Sequence, residues 1–233
     1  MSDLLPIKRS KAQARRFYDR ISGMYDILTA SEKRLFKQGL DLLEIQPNEH
    51  VLEIGCGTGS ALQWIYESTP PPVWAIGLDL SHQMLLKSMQ KNRGIQPPPL
   101  HIQGDGVQLP FPKASIDAVF MSFTLELFSK ADISALLGEC RRVLKTAGRL
   151  GVVSLVDAPR TFPLRLYELA HQLFPVAVDC RPIPLLDVLQ SHFFCVKTAI
   201  MKRNWRLPVY LTLSDKQAIK DNRPIKGNMK NNA

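Results

Sequence analysis

Hydrophobic spacing divides the chain into two helical stretches followed by a long alternation of short apolar runs and amphipathic segments. Within residues 9–28, Phe17, Ile21, Met24 and Leu28 recur at helical spacing, with Arg16, Asp19 and Arg20 on other faces. A second helical pattern opens at Ser31 and reaches about Leu43. Apolar runs then predict strands over His50–Ile54, Val73–Asp79, Leu100–Gln103, Ile116–Met121 and Leu150–Val156, and the stretches Gly59–Glu67, Ser81–Asn92 and Asp132–Leu144 predict helices between them. Parallel neighbours need a crossover, so strands alternating with helices predict an α/β fold with a doubly wound, mostly parallel sheet. Further on, Phe162–Phe174 and Ile183–Ser191 read as helices, and Phe193–Lys202 with Arg206–Leu213 as two strands of an antiparallel edge hairpin.

Pro-Pro-Pro at 70–72 and 97–99 marks loops, and no internal repeat is present. The organisation expected is N-terminal helices over 1–45, a sheet domain over 46–213 and a flexible basic tail over 214–233.

Composition adds exclusions. With 233 residues, 45% hydrophobic and 22% charged, the chain is neither collagenous, nor wholly disordered, nor a disulfide-stapled miniprotein. The net charge of +9 suggests nucleic acid until it is located. Residues 1–20 carry six basic and two acidic groups, residues 197–233 nine and two, and residues 21–196 fifteen and seventeen. The charge therefore sits on the ends, and no nucleic-acid partner is expected. Those ends predict instead a weak, mainly electrostatic contact with an anionic membrane, with Phe17, Ile21 and Leu28 committed to packing or lid closure. Cys56, Cys140, Cys180 and Cys195 and the five histidines show no metal-ligand spacing, so no metal is expected. No apolar run approaches eighteen residues and no signal-peptide pattern opens the chain, so the expected location is cytoplasmic, peripheral at most.

The strongest chemical signal is Val51-Leu52-Glu53-Ile54-Gly55-Cys56-Gly57-Thr58-Gly59, a strand running into a glycine-rich turn that opens a helix. The next strand ends at Asp79, where a carboxylate can accept both hydroxyls of an adenosine ribose. Glu53 selects among adenosine cofactors. A pyrophosphate about 5 Å from its carboxylate would meet roughly 3 kcal/mol of repulsion at an effective dielectric near 20, whereas an ammonium and a sulfonium would be attracted. S-adenosylmethionine suits this loop, and NAD does not.

These residues resemble the class I S-adenosylmethionine methyltransferases, and more narrowly the ubiquinone/menaquinone biosynthesis group. The resemblance spans about Phe17 to Leu155 and rests on "VLEIGCGTG", "GLDLS" at 77–81, "GDGVQLPFP" at 104–112, "IDAVFMSFTLELF" at 116–128 and "CRRVLKTAGRL" at 140–150. It implies a Rossmann-like sheet, S-adenosylmethionine as cofactor, and a lid helix in "FYDRISGMYD" at 17–26. It further implies Thr58 beside the loop, Asp79 on the ribose, Asp105 and Gly106 at the adenine amino group, and Ser122 after the fourth strand. Glu53, Gly55, Gly57 and Gly59 would shape the methionine end, and Tyr18 and Tyr25 would pack or close over the cofactor. Lys145-Thr146-Ala147-Gly148 replaces the family's Lys-Pro-Gly-Gly turn, and about 157–192 is the variable segment that shapes the acceptor site.

Blander readings stand beside several of these. Asp105 could simply cap a turn. Met84 and Leu85 read as helix core. His171 and Arg181, near Tyr167 and Asp179, form a polar cluster in an apolar segment, and His171 is the candidate general base. The acceptor expected is small or lipophilic. A prenylquinone ring carbon comes first and a phospholipid amine second, with a non-catalytic cofactor-binding subunit and an NAD oxidoreductase as readings from other classes.

Overall fold

A computed structural model of the chain describes residues 9–69, 73–157, 180–205 and 207–216. Its elements are helices α1 (Lys11–Ile21), α2 (Tyr25–Leu28) and α3 (Lys33–Asp41), then strand β1 (His50–Ile54), α4 (Ser60–Ser68), β2 (Trp74–Asp79), α5 (His82–Asn92) and β3 (Leu100–Gln103). There follow β4 (Ile116–Ser122), α6 (Lys130–Val143), β5 (Leu144–Leu155), a helix α7 (Leu185–Ser191), β6 (Phe194–Asn204) and β7 (Leu207–Lys216). The seven strands lie in the order β3-β2-β1-β4-β5-β7-β6. The first five are parallel, and β7 runs antiparallel to both β5 and β6. This is the Rossmann-like, mostly parallel sheet with an antiparallel edge hairpin that the alternation predicted.

The sheet is buried on both faces because its central strands present apolar side chains to both. Leu52 and Ile54 of β1 with Val119 and Met121 of β4 pack on α6 and α7 through Leu136, Leu137 and Leu189. Val51, Ala118 and Phe120 turn the other way, onto Leu35, Phe36 and Leu40 of α3 and Leu62 and Ile65 of α4.

Three local differences from the sequence reading have physical causes. The helical pattern of 9–28 is interrupted at Ser22-Gly23, where the Ser22 hydroxyl donates to the Asp19 carbonyl and the Met24 N–H to the Ile21 carbonyl. Met24 and Leu28 therefore leave the face of Phe17 and Ile21, and stand 54% and 58% exposed. Strand β5 begins at Leu144, directly on the end of α6, and not at Leu150. Its register against β4 jumps from Ile116↔Leu144 to Ala118↔Arg149, so Lys145-Thr146-Ala147-Gly148 is an outlying bulge. The last strand continues to Lys216, past Leu213. The expected helix Phe162–Phe174 lies outside the described residues.

Candidate active site

β1, β2 and β4 end on one edge of the sheet, and the chain's chemistry collects beyond their carboxyl ends. After Ile54 the backbone turns through Gly55 at φ 72° and Gly59 at φ 77°, conformations that side-chain-bearing residues adopt at a cost. Space forbids a side chain as well: a Cβ on Gly55 would lie 2.5 Å from Thr124 Oγ1, and one on Gly59 2.0 Å from Ser88 Oγ. The turn is sewn to β2, since the Gly55 and Cys56 N–H groups donate to the Leu78 carbonyl at 2.7 and 3.1 Å.

Asp79 sits at the tip of β2 with both carboxylate oxygens anchored, Oδ2 by the Gly57 N–H and Oδ1 by the Ser81 N–H, each at 2.8 Å. Burial pushes its pKa up to about 6 against these two hydrogen bonds. A cavity of about 190 Å³ opens on it. Ile54, Gly55 and Gly57 form one wall, Gly104, Asp105 and Gly106 a second, and Phe123, Thr124, Leu127 and Phe128 a third, apolar one. Met84 also lines it while being 1% exposed, so this helix-core residue doubles as cavity wall.

Glu53 faces a smaller recess that shares Tyr25, Gly55 and Gly57 with the cavity and adds Thr58, Ser122, Glu32 and Lys33. Its carboxyl group is 4% exposed, and Oε2 has no hydrogen-bond partner among the described residues. Burial, then the neighbouring Asp79 charge, drives its pKa well above the carboxylate range. A buried acceptor without a donor is costly alone, and a ligand ammonium would satisfy it.

The N-terminal helices close over this edge. A capping box between Ser10 and Gln13 starts α1. Lys11 Nζ then reaches Asp105 Oδ2 at 2.7 Å and Asp132 Oδ1 at 3.0 Å. Asp19 accepts from the Ser81 hydroxyl at 2.6 Å and from the Gln83 N–H at 3.1 Å, at the start of α5. Asp26 accepts from Thr58 and from Lys91, the latter at 2.9 Å, and Lys91 also donates to Ser60 at 2.7 Å. Tyr18 and Tyr25 both line the cavity, meeting edge to face with ring centroids 6.3 Å apart.

Of the residues singled out from sequence, Gly55, Gly57, Asp79, Asp105, Gly106, Tyr18 and Tyr25 line the cavity. Glu53, Thr58 and Ser122 line the recess, with Thr58 turned toward Asp26 and Lys91. Gly59 forms the N-terminal cap of α4. His171, Tyr167 and Asp179 lie outside the described residues. Arg181 is 2% exposed and donates from Nη2 to the Phe128 carbonyl at 2.5 Å, behind the apolar wall.

Sequence reasoning missed Lys11, the Asp26–Lys91 pair and the turn after β4. There Phe123 takes a left-handed φ of 49° while its N–H donates to the Val153 carbonyl at 2.8 Å. Phe123 and the following Thr124 line the cavity from this turn. Behind it, Glu126 is fully buried, accepting from the Ser154 hydroxyl at 2.9 Å and the Leu155 N–H at 3.2 Å.

Residues 51–148 match the family described as a methyltransferase domain. The chain is 34% identical over 158 residues to a demethylmenaquinone methyltransferase of Thermotoga maritima, covering 64% of each chain. It is 28% identical over 191 residues to a nocamycin O-methyltransferase of Saccharothrix syringae, covering 78% of this chain and 67% of that one. It thus spans about two thirds of the length of these curated relatives. In fold it superposes on the [4+2]-cyclase SpnF with a TM-score of 0.72 at 15% identity, covering 93% of this chain and 99% of that one. The matched segment holds the glycine-rich turn, Glu53 and Asp79, so residues 51–148 are similar to a methyltransferase domain and sit on the fold of S-adenosylmethionine-dependent methyltransferases.

Proposed function

We propose that the chain transfers a methyl group from S-adenosylmethionine to a small or lipophilic acceptor, a prenylquinone ring carbon being the best candidate. The observation that carries the cofactor half is the unpartnered, buried Glu53 oxygen beside the Asp79 carboxylate. Asp79 would hold the ribose hydroxyls, Asp105 the adenine amino group and Glu53 the ammonium of the methionine end. When bound, the cofactor supplies a methyl group already activated on a sulfonium, so the protein needs no nucleophile of its own. What the residues contribute is alignment and the exclusion of water. Tyr18 and Tyr25 cover the cavity, and Phe123, Leu127 and Phe128 offer an apolar wall against which a ring can be held.

The acceptor assignment is supported by that wall and by the demethylmenaquinone relatives. A quinol acceptor calls for a base at its hydroxyl, the role proposed for His171 in the variable segment. The nocamycin relative supports a second reading, O-methylation of a small hydroxylated acceptor. The likeness to SpnF supports a third reading, a fold member whose work is not methyl transfer.

Incubation with methyl-labelled S-adenosylmethionine and separate quinone, phospholipid and polar extracts of the host tests the assignment. Label in the quinone fraction is expected. Label in phospholipid indicates amine methylation, label in the polar fraction supports the O-methylation reading, and cofactor binding with label in no fraction supports a non-catalytic subunit.

A further inference from the structure

We propose that the carboxyl edge of the sheet is a lipid-docking face, in which Trp205 and the exposed side chains of the lid enter the interface of an anionic bilayer. The inference takes its purpose from the lipophilic-acceptor reading and its evidence from the surface alone.

Register places the pieces. β7 is antiparallel to β5 with Val209 opposite Leu155, and β6 pairs back with Lys202 opposite Val209 and Asn204 opposite Leu207. The β6–β7 turn therefore stands beyond the carboxyl end of β5, on the edge that carries Gly55, Asp79 and Ser122. At this turn Trp205 is 81% exposed with φ 49°, and Lys202 and Arg203, also exposed, precede it. The lid reaches the same edge, because Tyr25 packs on Gly57 and Asp26 bonds Thr58 and Lys91. Its Ile27 is 80% exposed, next to Leu28 and Met24. β1 and β6 are four strand positions apart, so the hairpin turn stands roughly 19 Å along this edge from the end of β1, where the lid packs, at about 4.8 Å per strand.

The arrangement suits a bilayer better than a protein partner. Apolar groups standing apart on one edge need a surface that can yield at each point. Indole is the side chain best matched to a headgroup interface, and lysine and arginine beside it reach anionic headgroups while their stems stay apolar. Exposed Arg16, Arg20 and Arg34 add positive charge on the lid side. The acidic groups there are engaged: Asp19 accepts from Ser81, and Asp26 pairs with Lys91 at 2.8 Å. The sequence reading expected a mainly electrostatic attraction, with Leu28 committed to packing or lid closure. The exposure of Met24, Ile27, Leu28 and Trp205 adds an apolar component that salt does not screen.

Cosedimentation of the full chain with phosphatidylcholine vesicles, with and without phosphatidylglycerol, at low and high salt tests the face. Binding to the anionic vesicles is expected, with a fraction surviving high salt. Trp205→Ser should weaken partitioning about tenfold, and Ile27→Ser should weaken it as well. Trp205 emission, read as the difference from Trp205→Phe, should shift to the blue on vesicle addition. No binding to anionic vesicles overturns the proposal, as does binding indifferent to both serine variants. An indole already shielded in the free protein also overturns it, because another part of the chain or a protein partner would then own the surface. The two readings fail separately: vesicle binding without label in any lipid fraction removes the acceptor assignment, and quinone labelling in detergent without vesicle binding removes this face.

Discussion

Lys11 Nζ lies 2.7 Å from Asp105 Oδ2, so the carboxylate assigned to the adenine amino group is also the anchor of the lid helix. The same ammonium reaches Asp132 at 3.0 Å, across the mouth of the cavity. On the proposed reading, lid closure and adenine recognition share one side chain, whose other oxygen accepts from the Val107 N–H at 3.2 Å.

Lys11→Ala should release this latch. Partly exposed pairs contribute roughly 0.2 to 1 kcal/mol, so dissociation of S-adenosylhomocysteine should quicken by up to about fivefold, with the fold unchanged. Stopped-flow displacement reads the rate. An unaltered rate would show that the lid is held by Asp19 and Asp26 alone.

Cofactor affinity should fall in mild acid. If Asp79 holds the ribose hydroxyls as proposed, it must do so in its ionised form, and burial has raised its pKa to about 6. Protonation below that value removes the acceptor, so affinity at pH 5 should be about tenfold lower than at pH 8. Calorimetric titrations at the two pH values decide, and equal affinities would mean that Asp79 does not hold the ribose.

Most of the frame was legible because its signals are local. Strand β1, the glycine turn and Asp79 lie within a short span, and each strand announces itself by an apolar run between turn residues. What escaped depends on distance in sequence. Lys11 with Asp105 and Asp26 with Lys91 pair across long separations, and nothing near either residue encodes its partner. The break at Ser22-Gly23 was hidden because helical periodicity persists through it, and only the exposure of Met24 and Leu28 reveals the change of face. Phe123 carries no sequence mark at all, since its left-handed φ is imposed by the Val153 carbonyl of the neighbouring strand.

Stability should decline as pH rises through the neutral range. Burial raises Glu126 to about 8, so the folded chain holds a proton there that the unfolded chain, with an ordinary glutamate, has lost. The stabilisation is complete below the unfolded value and disappears as pH climbs to about 8, at no more than about 1.4 kcal/mol per pH unit. Glu126→Gln should make the slope of urea stability shallower above about pH 7, where Asp79 is largely ionised and the raised Glu53 contributes equally to both proteins. Parallel slopes for the two proteins would place an ionised carboxylate in the core.

The most direct test of the central claim is calorimetric titration of S-adenosylmethionine into the wild-type chain and into Asp79→Ala. Loss of charge-assisted hydrogen bonds costs roughly 1.5 to 3 kcal/mol, which predicts binding by the wild type and an affinity about ten- to a hundredfold weaker in the variant. Unchanged affinity in Asp79→Ala would contradict the placement of the cofactor beside Asp79 and Glu53.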